Sequence, residues 1–211
     1  HASSGACHLL LDICNARVIN AGDGAGQHPT QALLDLYTIY RSFQERGGVS
    51  GKRYAFVGDL LRGRAVRSVV FLLSQFPNVE MIFVAPPAFQ IAGDLEEALK
   101  INKVSIQKNE SLKEILPLVD SLYMTRVQDE YDMSEESGKL DINDFNLTPE
   151  NLKLMKEDAI IMHPLPRRNE IHPEVDLDPR AMYWRQLRNG LYLRAALMLY
   201  IFRINHRLQE Y

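Results

Sequence analysis

KRYAFVGDLLRGRAVRSVVFLLSQ, residues 52–75, sets a short aromatic and β-branched run against a glycine and then a stretch with apolar residues at helical spacing. Arg53–Val57 reads as a strand that Gly58 ends, and Gly63–Gln75 reads as the helix it feeds. Outward from this segment the alternation repeats. Val79–Val84, Val104–Gln107, Ser121–Met124 and Ala159–Met162 read as further strands, with Asp94–Lys100 and Ser111–Leu116 as helices among them. Such a rhythm predicts an α/β fold, a doubly wound parallel sheet whose ligands gather at the carboxyl ends of the strands. A dinucleotide fingerprint is absent, because Gly58 and Gly63 are too far apart for G-x-G-x-x-G. No internal repeat interrupts the pattern.

Two helices flank the sheet unit. Thr30–Arg46 is amphipathic and opens on Pro29, at a first-turn position where a missing N–H costs nothing. The second is predicted to start at an Asp178-Pro179 cap and to run, with a break near Gly190, to about Leu208. Its Leu187, Leu191, Leu193, Leu197, Met198, Ile201 and Phe202 are more apolar surface than a small sheet domain covers, so a partner surface is expected. The apolar run from Leu191 to Ile204 is broken by Arg194 and Arg203, and it is shorter than the ~20 residues of a membrane span. It reads as a packing helix, with no membrane partner.

The 211 residues are 46% hydrophobic and 24% charged, the balance of a globular protein with a buried core. A net charge of -3 and a pI near 6.1 give no basic field for nucleic acid, so any anion site must be built from local arginines. Cys7 and Cys14 have the spacing of neither a redox pair nor a zinc half-site, and are read as buried structural thiols suited to a reducing cytosol. His1 is not followed by a basic, then apolar, leader, and the chain is expected to be cut at its N-terminus.

Four segments carry candidate chemistry. In GDGAGQHPTQ, residues 22–31, glycines allow a tight turn into a helix start, where free N–H groups favour an anion and His28 and Gln31 can face one ligand. A plain glycine turn before a capped helix explains the same residues. Arg64, just past a strand end, suits a bidentate carboxylate pair or a solvated surface position. Arg126 follows another strand end, and Gln128 lies two positions on. The acidic stretch from Asp129 to Asp144 reads equally as a lid or a surface insertion. In MHPLPRR, residues 162–168, two prolines impose an extended path and offer the Pro164 and Leu165 carbonyls as acceptors. The Leu165–Pro166 bond is a candidate cis peptide, and His163 reads more simply as a satisfied buried histidine.

Taken in this order, Asn20-Ala-Gly-Asp-Gly with Gln27-His-Pro-Thr-Gln, Tyr123-Met-Thr-Arg-Val-Gln, His163-Pro-Leu-Pro-Arg and Asn189-Gly-Leu-Tyr-Leu-Arg resemble the aspartate carbamoyltransferase family. The ornithine branch is similar in fold, but resembles His-Cys-Leu-Pro where this chain has His163-Pro164-Leu165-Pro166. The resemblance implies a carbamoyl group held by His28 and Gln31, with backbone at Pro164, Leu165 and Pro166. It implies L-aspartate held by Arg64 and Arg126, with Gln128 near its amine, and His28 as the catalytic contact.

The implied reaction takes carbamoyl phosphate and L-aspartate to N-carbamoyl-L-aspartate and phosphate for pyrimidine synthesis, with no metal and no redox cofactor. The implied assembly is a cytoplasmic homotrimer, with a regulatory or dihydroorotase partner in some settings. The implied division is 1–27 as remnant of a carbamoyl phosphate domain, 28–46 as interdomain helix, 47–177 as aspartate domain and 178–211 as helices packing on a missing domain. The family's Ser-x-Arg-Thr phosphate loop and the loop lent by a neighbouring subunit are not in this sequence. Ala65 replaces a common Thr, and Tyr131 begins an unusually acidic segment. This chain alone is accordingly expected to be inactive, and a noncatalytic carbamoyltransferase-like partner of another pyrimidine enzyme is the alternative.

Overall fold

A computed structural model describes residues 3–126 and 145–204. Five strands form one sheet: β1 (Arg53–Val57), β2 (Glu80–Val84), β3 (Ser105–Asn109), β4 (Ser121–Met124) and β5 (Ile160–Met162). Their order is β3-β2-β1-β4-β5 and every pairing is parallel. Seven helices accompany them among the described residues: α1 (Ala6–Ile13), α2 (Pro29–Phe43), α3 (Arg64–Leu73), α4 (Gly93–Ile101), α5 (Leu112–Ile115), α6 (Pro149–Leu152) and α7 (Tyr183–Ile201).

The doubly wound reading holds because alternate strand residues feed two separate cores. Tyr54, Phe56, Phe83 and Tyr123 face α2, α3 and α4. Ala55, Val57, Val84, Leu122 and Met124 face α5, α6 and the turn at Pro173–Leu177. Burial on both faces explains why the central strands read as unbroken apolar runs. The edge strand β3 lies one to two residues later than predicted, since its SIQKN sequence is mostly exposed and Ile106 is its one apolar residue.

The strand order reverses between β1 and β4, which opens a crevice at their carboxyl ends. Gly58, at φ 116, closes the approach there: a Cβ on it would be driven into the Thr125 carbonyl and lie 2.7 Å from Thr125 Oγ1. Thr125 in turn donates to the Val57 carbonyl through both N (2.8 Å) and Oγ1 (3.0 Å).

Four expectations need correction. α7 starts at Tyr183 instead of at Asp178-Pro179, because Arg180 takes the Asp178 carboxylate and Met182 N donates to Ile161 O at 2.8 Å. The cap residue is thus spent on a turn, after which Arg180 to Met182 bond alongside Ile161 of β5. α7 also passes Gly190 without a break; a Cβ there would lie 2.9 Å from Leu34 Cδ2, so the glycine admits α2 to close packing. The helix also ends at Ile201, where Phe202 caps it and Arg203 turns at φ 58, short of the expected Leu208, a residue that itself lies outside the described ones. Cys14 is exposed and Cys7 only partly buried, on α1, which buries none of its residues, so the thiols are not core groups.

α7 buries only Tyr183, Gln186 and Gly190 and leaves Leu187, Leu191 and Tyr200 more than half exposed, as its apolar sequence led us to expect. Among the described residues no helix is long and apolar enough to cross a membrane.

Candidate active site

Three chain segments deliver side chains to the β1–β4 crevice. Gly63 N-caps α3 and places Arg64 in its first turn. Pro29 starts α2, with His28 as its N-cap residue, and Arg126 follows Thr125 at the end of β4. Together with Gln31 and the backbone at Pro164, Leu165 and Pro166, they line a cavity of about 260 Å3. A larger cavity, about 560 Å3, lies between α2 and α7 beside Arg41, Arg185 and Arg188. It is lined by Asn189 and Tyr192 of the Asn189-Gly-Leu-Tyr-Leu-Arg motif but by none of the candidate ligand-binding residues, so volume does not decide between the two.

His28 is fixed from both sides of its backbone. Its N–H donates to Ser68 Oγ of α3 at 2.8 Å, and its ring Nδ1 accepts from Gln31 N at 3.3 Å. Burial, and then the positive charges of Arg64 and Arg194, lower its pKa to about 4. The ring is neutral at neutral pH, and with Nδ1 accepting, its proton resides on Nε2. His28 is therefore a donor without a full charge. The helix N-terminus is consumed in part by this cap, so it is a poorer anion cradle than its sequence suggests.

The glycine turn serves Arg64. Gly22, at φ 119, lies under the guanidinium, and a Cβ there would sit 2.8 Å from Arg64 Cζ. Arg64 Nη1 donates to Gly24 O at 3.2 Å. Asp23 ties the turn shut by accepting from Gln27 N at 2.8 Å and Gly5 N at 2.8 Å.

Gln31 Nε2 donates to Asp35 Oδ1 at 2.9 Å, which leaves its carbonyl oxygen as the acceptor end. Beyond β5, His163 is fully buried with both ring nitrogens engaged: Nδ1 accepts from Leu165 N at 2.8 Å and Nε2 pairs with Glu170 Oε1 at 2.7 Å. It is the satisfied histidine that its position suggested, and it shapes the loop. The Leu165–Pro166 bond is cis and Leu165 has φ 55. Arg167 is turned to Asp176 (2.6 Å between Nη2 and Oδ2) and stacks near Tyr183. Gln128 and the acidic 129–144 segment lie outside the described residues.

Sequence reasoning missed Asp35, Tyr123 and Gln186, which meet behind the cavity. The legible signal was Asp35 itself, an acid one turn beyond Gln31 on the buried side of α2. Among the described residues no cluster of His, Cys, Asp or Glu could hold a metal ion.

The chain has known counterparts. Residues 50–201 match the family model "Aspartate/ornithine carbamoyltransferase, Asp/Orn binding domain", and residues 1–41 match that of the carbamoyl-P binding domain. The aspartate carbamoyltransferase catalytic subunit of Alkaliphilus metalliredigens is 43% identical over 94% of this chain and 63% of its own length. A chloroplastic aspartate carbamoyltransferase of Pisum sativum is 43% identical over 94% of this chain and 51% of its own. The aspartate transcarbamoylase of Trypanosoma cruzi, solved with carbamoyl phosphate and aspartate, superposes with a TM-score of 0.82 at 38% identity, covering 94% of this chain and 62% of that one. This chain thus spans about half to two thirds of the length of these relatives. With the parallel sheet, the strand-end cavity and both family models agreeing, the chain belongs to the aspartate/ornithine carbamoyltransferase family.

Proposed function

We propose that this chain is the aspartate-binding portion, with part of the carbamoyl site, of a protein that transfers the carbamoyl group of carbamoyl phosphate to L-aspartate. The observation that carries this reading is the meeting of a neutral histidine donor, a pinned glutamine and two arginines in one strand-end cavity. The neutral aspartate amine attacks the carbamoyl carbon, a C–N bond forms, and the C–O bond to phosphate breaks. His28 Nε2–H donates to the carbonyl oxygen as it gains negative charge. Gln31 and the Pro164 and Leu165 carbonyls accept from N–H groups, and Pro166 fixes the path of that loop.

Arg64 and Arg126 each take one carboxylate of aspartate, a fit that planar forks make better than ammonium groups. Gln128 stands near the amine in this reading. The amine proton leaves with phosphate or solvent, so catalysis rests mainly on placement and on oxyanion stabilisation. A solved relative that holds both substrates supports the choice of aspartate. So does the His163-Pro164-Leu165-Pro166 segment, which resembles the aspartate branch more than the His-Cys-Leu-Pro pattern of the ornithine branch.

The free thiols at Cys7 and Cys14 suit a reducing compartment such as the cytoplasm. The exposed apolar face of α7 suits burial against a further domain, within a homotrimer. The test is carbamoyl aspartate formation by the protein at its natural length, with aspartate and ornithine supplied separately. Carbamoylation of ornithine alone, or of neither, overturns the proposal.

A further inference from the structure

Behind the cavity lies a carboxyl group that the proposed chemistry does not use. Asp35 is fully buried on α2, yet it accepts three hydrogen bonds from three different elements. Gln31 Nε2 reaches its Oδ1 at 2.9 Å, Gln186 Nε2 of α7 reaches the same oxygen at 2.6 Å, and Tyr123 OH of β4 reaches Oδ2 at 2.6 Å.

Each donor continues to a wall of the cavity. Gln31 lines it directly. Tyr123 precedes Arg126 by three residues at the end of β4. Gln186 turns its Oε1 to the backbone N–H of His163 at 3.0 Å, and the His163 ring accepts from Leu165 N at 2.8 Å. One carboxyl group therefore joins the helix that carries His28 and Gln31 to the loop that presents Pro164 and Leu165.

The chemistry of an amide makes this directional. Oδ1 of Asp35 accepts whether or not Oδ2, facing the Tyr123 hydroxyl, carries a proton, so it selects the rotamer with Gln31 Nε2 inward and Oε1 toward the cavity. Without it the two ends of the amide are equivalent in shape, and the flipped form presents an NH2 group to the NH2 of the carbamoyl group. The same logic at Gln186 sends its Oε1, and not its NH2, to His163 N.

We infer that Asp35 is a positioning residue of the carbamoyl pocket, fixing the orientation of the Gln31 amide and, through Gln186 and His163, the Leu165 carbonyl. This rests on the proposed function. A buried group that only held the core would lower stability when altered and would act independently of Gln31. A positioning residue acts through it, and the two roles separate in a double-mutant cycle.

The experiment compares Asp35→Ala, Gln31→Ala and the double variant in the protein at its natural length, with carbamoyl phosphate varied at saturating aspartate and melting followed in parallel. Gln31→Ala and Asp35→Ala should each lower kcat/KM for carbamoyl phosphate about 10- to 100-fold, and the double variant no further than about threefold below the worse single. Asp35→Asn, which can offer Oδ1 to both glutamines and Nδ2 to Tyr123, should stay within about fivefold of the parent. Effects that multiply in the double variant overturn the inference. So does Asp35→Asn falling as far as Asp35→Ala while folded.

Should Asp35→Ala not fold, Gln186→Leu keeps the Gln31 contact and cuts the second arm. A loss of at least fivefold is expected, and a loss under twofold overturns the relay. A parent protein that makes no carbamoyl aspartate defeats the proposed function instead. The same cycle is then read from calorimetric binding of carbamoyl phosphate.

Discussion

Replacing Gly58 by alanine tests the join on which the whole cavity hangs. The residue holds φ 116 between β1 and the turn that leads to Arg64, and an added Cβ would meet the Thr125 carbonyl and lie 2.7 Å from Thr125 Oγ1 and 3.1 Å from its carbonyl carbon. Carbon and oxygen in relaxed contact stand about 3.3 Å apart or more, so β1 and β4 must part by something on the order of 1 Å at this end. A side chain at this φ costs about 1–2 kcal/mol, and overpacking a closed site about 1–3 kcal/mol more. Together they lower the melting temperature by roughly 5–15 °C in a chain of this size. The functional loss should be larger in proportion, since Thr125 is bonded to Val57 and Arg126 is the next residue. A displacement of about 1 Å at a positioning group is worth about 100-fold in rate. Steady-state kinetics with aspartate varied and differential scanning calorimetry read the two effects. Gly93→Ala is the control, because nothing lies within 4 Å of a Cβ there. If Gly58→Ala melted with the parent and kept its aspartate KM, the strand-end geometry would not be what places Arg126.

His28 should titrate by NMR with a midpoint near 4, and His28→Ala should lower kcat by about 100- to 1000-fold, the cost of one oxyanion donor; a midpoint above 6 would remove the neutral-donor argument. Arg64→Lys and Arg126→Lys should each raise the aspartate KM far more than that of carbamoyl phosphate. Gly22→Ala should mimic Arg64→Lys, since its Cβ would occupy the space of the Arg64 guanidinium; an aspartate KM unchanged from the parent in all three would refute both assignments. Burial raises the pKa of Asp35 to about 7, despite bonds from Tyr123, Gln186 and Gln31 and the nearby charge of Arg194 that act in the opposite sense. A raised pKa means that the folded state binds the proton more tightly, so stability is greatest below the unfolded value and falls as pH rises through about 7. Asp35→Asn should abolish that fall, which between pH 5 and pH 9 amounts to about 3 kcal/mol at 1.36 kcal/mol per unit, and urea unfolding of both proteins at those two pH values measures it. Equal pH dependence in the two would show that Asp35 ionises normally.

What could be read from sequence, and what could not, divides along physical lines. The central strands were legible because a parallel strand covered on both faces must be apolar at every position, as at Tyr54–Val57 and Met81–Val84. Their order was not, since β1 pairs with β4 across 67 residues from Tyr54 to Ser121, and no local pattern records that choice. The start of α7 was misplaced because Asp178-Pro179 has the composition of a cap, while the partner that claims its carboxylate, Arg180, is visible only in three dimensions.

At the cavity the division is sharper. His28, Gln31, Arg64 and Arg126, which line the cavity, could be singled out because they sit where elements begin or end, and such places carry glycine and proline signals. Asp35 carries no such signal. Its donors come from positions 88 and 151 residues away, Tyr123 and Gln186, and each is an ordinary core residue until the three converge. The sequence pattern of α2 nevertheless contains the anomaly, a carboxyl group that is the one charged side chain among buried residues including Ala32, Leu34, Ile39 and Phe43. A lone acid on a buried face is unstable without donors, so its presence already demands that other elements bring them. That demand cannot name Tyr123 or Gln186, but it does locate the second layer of the site on α2, behind the residues that the flanking glycines and prolines reveal.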